Sequence, residues 1–331
     1  TIDQTITTFF KKPKSYTGEN MVEISLHGGA STTNKLIELL LKNKKLRMAE
    51  RGEFTRRAFD NNKLDLIQVE AVSDLINSET EIQRRQAIKN LEGALSDKTK
   101  KIYDDLKKLL ANIEAIIDFS DEDLPSNLCL DIKEQKKNIL KKLKKIIKNS
   151  EIGKKIRNGF VVGIVGKTNV GKSSFINKIS NQEIAIVTNE HGTTRDILES
   201  YIDLKGLPVR FYDTAGIRKS NSKIEKIGIE KSIKISERSD LNLVFIEKIS
   251  EIGYFKKIPN KIYIQSKLDL RKKPIKRRKI FNISSKNGKG IKPLLSKISS
   301  YLRKKGIIES AFISRERQKI HIKKSINLIE N

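Results

Sequence analysis

Over residues 1–59 apolar and polar positions alternate in short runs such as MVEISL, separated by the turn-forming HGG and RGE, which is the pattern of a small α+β unit. From residue 64 the spacing changes. Ile88, Leu91, Leu95, Ile102, Leu106, Leu109, Ile113 and Ile116 recur at three- and four-residue steps with one seven-residue skip, and this predicts one long amphipathic helix. The polar stretch DEDLPSN at 121–127 ends it, and Ile139, Leu143 and Ile146 carry the same stripe into a further helix. Between about residues 154 and 305 the runs FVVGIV, LNLVFI, KIYIQ and KIFNI are continuously apolar enough for strands buried on both faces, with helical spacing between most of them. An α/β domain with a mostly parallel sheet is therefore expected. ISRERQKIHIKKSINLIEN returns to helical period, so the α/β domain is expected to be inserted into a helical one. The expected divisions are 1–60, 61–153, 154–308 and 309–331.

Composition adds limits. The chain has 331 residues, 37% of them hydrophobic and 33% charged, which suits a globular protein of two or three domains. No apolar run approaches the ~20 residues of a membrane span, so no membrane partner is expected. The single cysteine, Cys129, excludes an internal disulfide, and the first ten residues lack the pattern of a signal peptide, so a cytoplasmic protein is expected. A formal net charge of +28 has two readings. Clustered Lys and Arg can neutralise nucleic-acid phosphates, or a Lys-, Ile- and Asn-rich composition can cover ordinary solvated faces. The densest basic run, LRKKPIKRRK at 270–279, fits either.

Chemistry concentrates in the α/β segment. GKTNVGKSS at 166–174 fits G-x-x-x-x-G-K-[ST] and directly follows an apolar run, the context a phosphate loop requires. Glycines at 166 and 171 permit a tight loop whose backbone N–H groups face phosphate oxygens. Asn169, Val170, Gly171, Lys172, Ser173 and Ser174 are the expected phosphate-binding residues, Lys172 reaching the terminal phosphates and the Ser173 hydroxyl binding Mg²⁺. DTAG, comprising Asp213, Thr214, Ala215 and Gly216, follows the apolar VRFY and can supply a carboxylate to the metal shell and a backbone N–H to a γ-phosphate. Between them GTTRD offers Gly192, Thr193 and Thr194, a loop that γ-phosphate can order. A guanine-reading loop usually presents Asn-Lys-x-Asp after a strand, the Asp accepting two guanine protons, the Lys covering the ring and the Asn bracing the loop. Here the tetrad is SKLD: Ser266, Lys267 and Asp269 stand at those positions, with the bracing Asn replaced and the discriminating Asp kept. Ser284, Ser285 and Lys286 follow KIFNI and fit a backbone contact to the guanine oxygen. Order and spacing match a GTPase, with weakened nucleotide affinity expected from the lost Asn.

Three stretches, KSYTGENMVEISLHGG, RGEFTRRAFDNNKLDLIQVEAVSDLI and IVTNEHGTTRD, together resemble the MnmE (TrmE) family of tRNA modification GTPases, in order across nearly the whole chain. The resemblance implies a P-loop GTPase domain inserted into an all-α helical domain, preceded by a partial α+β folate-binding-type domain. It implies GTP hydrolysis driven by K⁺-dependent homodimerisation. It also implies modification of carbon 5 of the tRNA wobble uridine, carboxymethylaminomethyl in type, with the flavoprotein MnmG in a heterotetramer. By the same resemblance Asn169, Thr188, Glu190 and Thr193 are potassium ligands, Ser173 and Thr194 magnesium ligands, and Glu225 the water-orienting acid, which otherwise reads as a solvated helix carboxylate. Lys172 and Glu225 are the expected catalytic pair. Glu23 and Lys63 fall at positions for a tetrahydrofolate derivative, in its 5-formyl or methylene form, while His27 reads as structural. The chain departs from the family at Thr168, where a Pro is common. It is also expected to be truncated at both ends, without the family's C-terminal cysteine motif. Two other readings stay open: a relative that binds guanine nucleotide without modifying tRNA, and an RNA-binding assembly GTPase.

Overall fold

The computed structural model describes residues 1–119, 128–181, 199–213, 236–271, 273–275, 277, 280–305 and 313–331. Strands β1 (Ile6–Phe10) and β2 (Met21–Ser25) form an antiparallel hairpin in which Phe10 pairs with Met21 and Thr8 with Glu23. Helices α1 (Ala30–Leu41) and α2 (Glu53–Asp60) follow. This unit buries little apolar surface: within residues 1–60 the one buried hydrophobic side chain is Ala58.

Helices α3 (Leu66–Ile76), α4 (Glu81–Leu91) and α5 (Ala94–Asp118) come next. The single long helix expected from the apolar stripe is thus two helices. Gly93, at φ 87, caps α5 in the left-handed region, where a glycine meets no Cβ penalty and the helical ladder stops. Helix α6 (Leu128–Asn158) runs back along α5, and Ile139 and Leu143 bury against Ile102 and Leu109.

Strand β3 (Phe160–Gly166) opens the α/β unit, followed by α7 (Lys172–Ser180), β4 (Glu199–Leu204), β5 (Leu207–Asp213), β6 (Leu241–Phe245), β7 (Lys261–Gln265), β8 (Ile280–Asn282) and α8 (Ile291–Arg303). The strand order is β4-β5-β3-β6-β7-β8, parallel throughout except for the β4–β5 hairpin. Every residue of β6 is buried, as a central strand covered on both faces requires. Phe175 of α7 packs at 6.3 Å from Phe211 of β5 and 5.7 Å from Phe245 of β6, fixing that helix to the sheet. Because β3 is flanked by β5 on one side and β6 on the other, the strand order reverses at β3. Ligands of open α/β sheets bind in the crevice outside the strand ends at such a point.

After the sheet, α9 (Glu316–Glu330) returns to the helices and buries Ile326 in the same cluster as Ile139 and Leu143. The helical layer is therefore built from segments on both sides of the α/β unit. Asp74 of α3 holds both crossings: its Oδ1 accepts from Arg157 Nε and from Arg315 Nη2, each at 2.9 Å. Buried Gln83 of α4 adds a second tie, its Nε2 donating to the Arg157 carbonyl at 3.0 Å and to the Tyr201 hydroxyl at 2.9 Å.

Candidate functional site

The phosphate loop leaves β3 at that reversal. Gly166 adopts φ 152 hard against β6, where a Cβ would lie 2.6 Å from the Phe245 carbonyl oxygen, so a side chain there would push the loop off the sheet. Asn169 takes φ 60, a left-handed conformation that Asn tolerates better than most residues. Val170 is buried beneath the turn, and Gly171, at φ 97, leads into Lys172 as the first residue of α7. The first N–H groups of a helix have no partner within it and carry the positive end of its dipole, which favours an anion.

Lys172 is buried, and its ammonium donates to the carbonyls of Gly166 at 2.8 Å and Lys167 at 2.5 Å. It is folded back over the loop. Ser173 and Ser174 are exposed on the first turn of α7. Asp213 ends β5 with its backbone paired to Ile164 of β3, so the DTAG segment begins beside the strand that feeds the loop. Thr188, Glu190, Gly192, Thr193, Thr194, Thr214, Ala215, Gly216 and Glu225 lie outside the described residues.

The expected guanine loop is brought to the same place. Buried Ser266 follows β7, and its hydroxyl donates to the Val170 carbonyl within the phosphate loop. The brace expected to be lost with the Asn is therefore made by a shorter side chain. The close approach explains how: the Ser266 Oγ is 2.9 Å from where a Cβ on residue 171 would stand, so the glycine leaves room for it. Lys267 takes φ 59, and the loop is tied to its neighbour by the Leu268 N–H donating to the Ile283 carbonyl at 3.0 Å. Exposed Asp269 accepts from the buried Ser284 hydroxyl at 2.6 Å; that hydroxyl, followed by backbone N–H donation, holds the carboxyl below its usual range. Ser284, expected with Ser285 and Lys286 to offer a backbone contact to guanine, also orients the Asp269 carboxylate through its side chain. Ser285 Oγ is buried and has no hydrogen-bond partner among the described residues, so a polar ligand group would satisfy it. Lys286 is exposed beside it.

These groups fit a nucleotide and a hard metal ion. Among the described residues no cluster of three or more His, Cys, Asp and Glu could hold a metal. Mg²⁺ in phosphoryl-transfer sites needs no such cluster, since it takes one or two protein oxygens beside phosphates and water. The exposed Ser173 hydroxyl on the phosphate loop suits that role, and Asn169 is exposed at the loop tip.

The folate candidates lie on the hairpin unit. Glu23 is exposed on β2 opposite Thr8, and Lys63 is exposed with its ammonium donating to the Pro13 carbonyl at 3.0 Å. His27 lies 2.8 Å from Asp3, whose carboxyl is lowered chiefly by the His27 backbone N–H.

A phosphate loop at the reversal of a mainly parallel sheet, joined through Ser266 to a carboxylate-bearing loop of guanine-reading type, defines a P-loop nucleotide-binding protein. The family described as the MnmE helical domain matches residues 66–331, and the GTP-binding protein TrmE N-terminus matches residues 1–63. The tRNA modification GTPase MnmE of Pelagibacter ubique is 40% identical, over all of this chain and 76% of its own length. That of Roseobacter denitrificans is 38% identical over 100% of this chain and 76% of its own, and that of Clostridioides difficile 40% over 92% and 70%. The chain belongs to the MnmE family of tRNA modification GTPases. Among the described residues no helix is long and apolar enough to cross a membrane.

Proposed function

We propose that this chain binds guanine nucleotide between residues 166–174 and the loops carrying Asp269 and Ser284, and hydrolyses GTP in the modification of tRNA. The observation that carries the reading is the Ser266 brace, which joins the phosphate loop to the loop bearing Asp269. An ionised Asp269 can only accept hydrogen bonds, which suits the two adjacent N–H donors of guanine and mismatches adenine. Lys172, already held over the loop by two carbonyls, exchanges them for the terminal phosphate oxygens. The α7 N–H groups take the remaining phosphate charge.

The finer assignments rest on family membership. Ser173 and Thr194 would hold Mg²⁺, and Asn169, Thr188, Glu190 and Thr193 would hold K⁺, which would supply positive charge where other GTPases use an arginine finger. Glu225 would orient the attacking water. The family reading extends to a cytoplasmic homodimer activated by potassium, to MnmG and a wobble uridine as partner and target, and to a folate derivative at Glu23 and Lys63.

Turnover of GTP and ATP in potassium and in sodium, at matched ionic strength, tests the reading. GTP turnover that is faster in potassium, with ATP untouched, is expected. Equal, near-zero turnover in both salts would sink the hydrolytic reading, and comparable use of ATP would sink the role given to Asp269.

A further inference from the structure

The carboxylate of Glu251 is buried on a short 3-10 helix, Ile249–Phe255, that follows β6. Burying a charge costs free energy unless it is paired and hydrogen-bonded. Here both conditions are met. Glu251 Oε1 lies 2.9 Å from Lys167 Nζ, and Oε2 accepts from the Glu247 backbone N–H at 2.8 Å. Burial alone would push this carboxyl up; the Glu247 N–H and the Lys167 ammonium outweigh it, and the net effect is a lowered pKa. The Lys167 ammonium also lies 5.8 Å from the centroid of the Tyr254 ring.

Lys167 is the second residue of the phosphate loop, and its two ends do different things. Its side chain reaches away to Glu251, while its carbonyl accepts from the Lys172 ammonium. The start of the loop is thereby fixed from one side by Glu251, as its later part is fixed from the other by Ser266 at Val170. Neither contact uses a group assigned above to phosphate or metal.

We propose that Glu251 is a positioning residue of the nucleotide site, which through its ion pair with Lys167 holds the start of the phosphate loop in the geometry that receives phosphate. The inference rests on the guanine-nucleotide reading and names a residue of that site outside the loop motifs. A loop freed from Glu251 has to be ordered on binding, a cost levied equally on substrate and transition state. KM then rises while kcat holds.

The test compares GTP turnover, GDP affinity and thermal unfolding of the unmodified chain, Glu251→Gln, Lys167→Gln and the double variant. Lys167 is largely exposed, so Lys167→Gln keeps the test available even where the buried Glu251→Gln folds poorly. Each single change is expected to raise KM and the GDP Kd about threefold to tenfold, as loss of a half-buried ion pair permits, with kcat within about twofold. The double variant is expected to be no worse than either single. Unchanged KM in Lys167→Gln, or strictly additive singles, would overturn the role of Glu251 while leaving guanine binding intact. Failure of the unmodified chain to bind GDP would instead remove the nucleotide reading and this inference with it.

Discussion

The six-stranded sheet and the N-terminal hairpin are both β structure, yet different forces hold them. In the sheet, Val162, Phe211, Leu243 and Ile264 are completely buried between helices. On the hairpin, Ile6, Phe9 and Val22 remain exposed, and the surrounding unit is organised by polar contacts. Glu53 receives Arg47 at 2.8 and 2.9 Å and Arg57 at 2.6 Å, which with the Glu50 N–H bring its carboxyl down to about 2. Apolar burial is the larger stabilising term, so the sheet is expected to dominate the unfolding of this chain and the hairpin to contribute little.

The largest test of that contrast lies in the sheet. Phe211→Ala removes a fully buried ring that packs edge-on against Phe175, under the helix that follows the phosphate loop. A loss of about 3–5 kcal/mol is expected in denaturant unfolding, with GDP affinity falling in parallel. A loss below about 1 kcal/mol would mean that the sheet is not the dominant core.

An intermediate effect is expected at the junction between sheet and helices. Tyr201→Phe keeps the ring, over which Arg210 lies at 5.1 Å, and deletes only the hydroxyl that receives Gln83. Burial pushes that phenol up to about 12, so it is neutral across the working pH range. About 1 kcal/mol is expected, chiefly from a buried amide that loses one of its acceptors. A pH-independent loss of that size, measured between pH 6 and 9, is expected because the phenol stays neutral across that window, and a loss that changed with pH there would contradict it.

The two regions were also unequally legible. Continuous apolar runs identified β3, β6, β7 and β8, and the loop motif placed the phosphate site at β3, whereas β4, with the mixed sequence ESYIDL, gave no such run. The break at Gly93 was hidden because Leu91 and Leu95 keep the four-residue step across it, so the apolar period passes unbroken through a glycine that ends the helix. Ser266 stood out as a replacement, but its contact with the Val170 carbonyl depended on the space left by Gly171, a three-dimensional fact. Glu251 carried no motif. Its one sequence signal is an acidic residue close after a mostly apolar strand, which a solvated turn would show equally well. The site residues expected at 188–194, 214–216 and 225 lie outside the described residues.

The smallest effect belongs to the hairpin, and it is the one that tests the comparison from its other side. Phe9 is 63% exposed, so Phe9→Ala removes apolar area that water already reaches in the single chain. Less than about 0.5 kcal/mol is expected when the chain is unfolded at high dilution. A cost above about 1 kcal/mol would mean that the hairpin face is covered in solution. If that cost then grew with protein concentration, the cover would be a second copy of the chain, since stability gained by association rises with the concentration of the partner. The contrast between sheet and hairpin would then concern when each apolar face is buried, within the chain during folding or between chains afterwards.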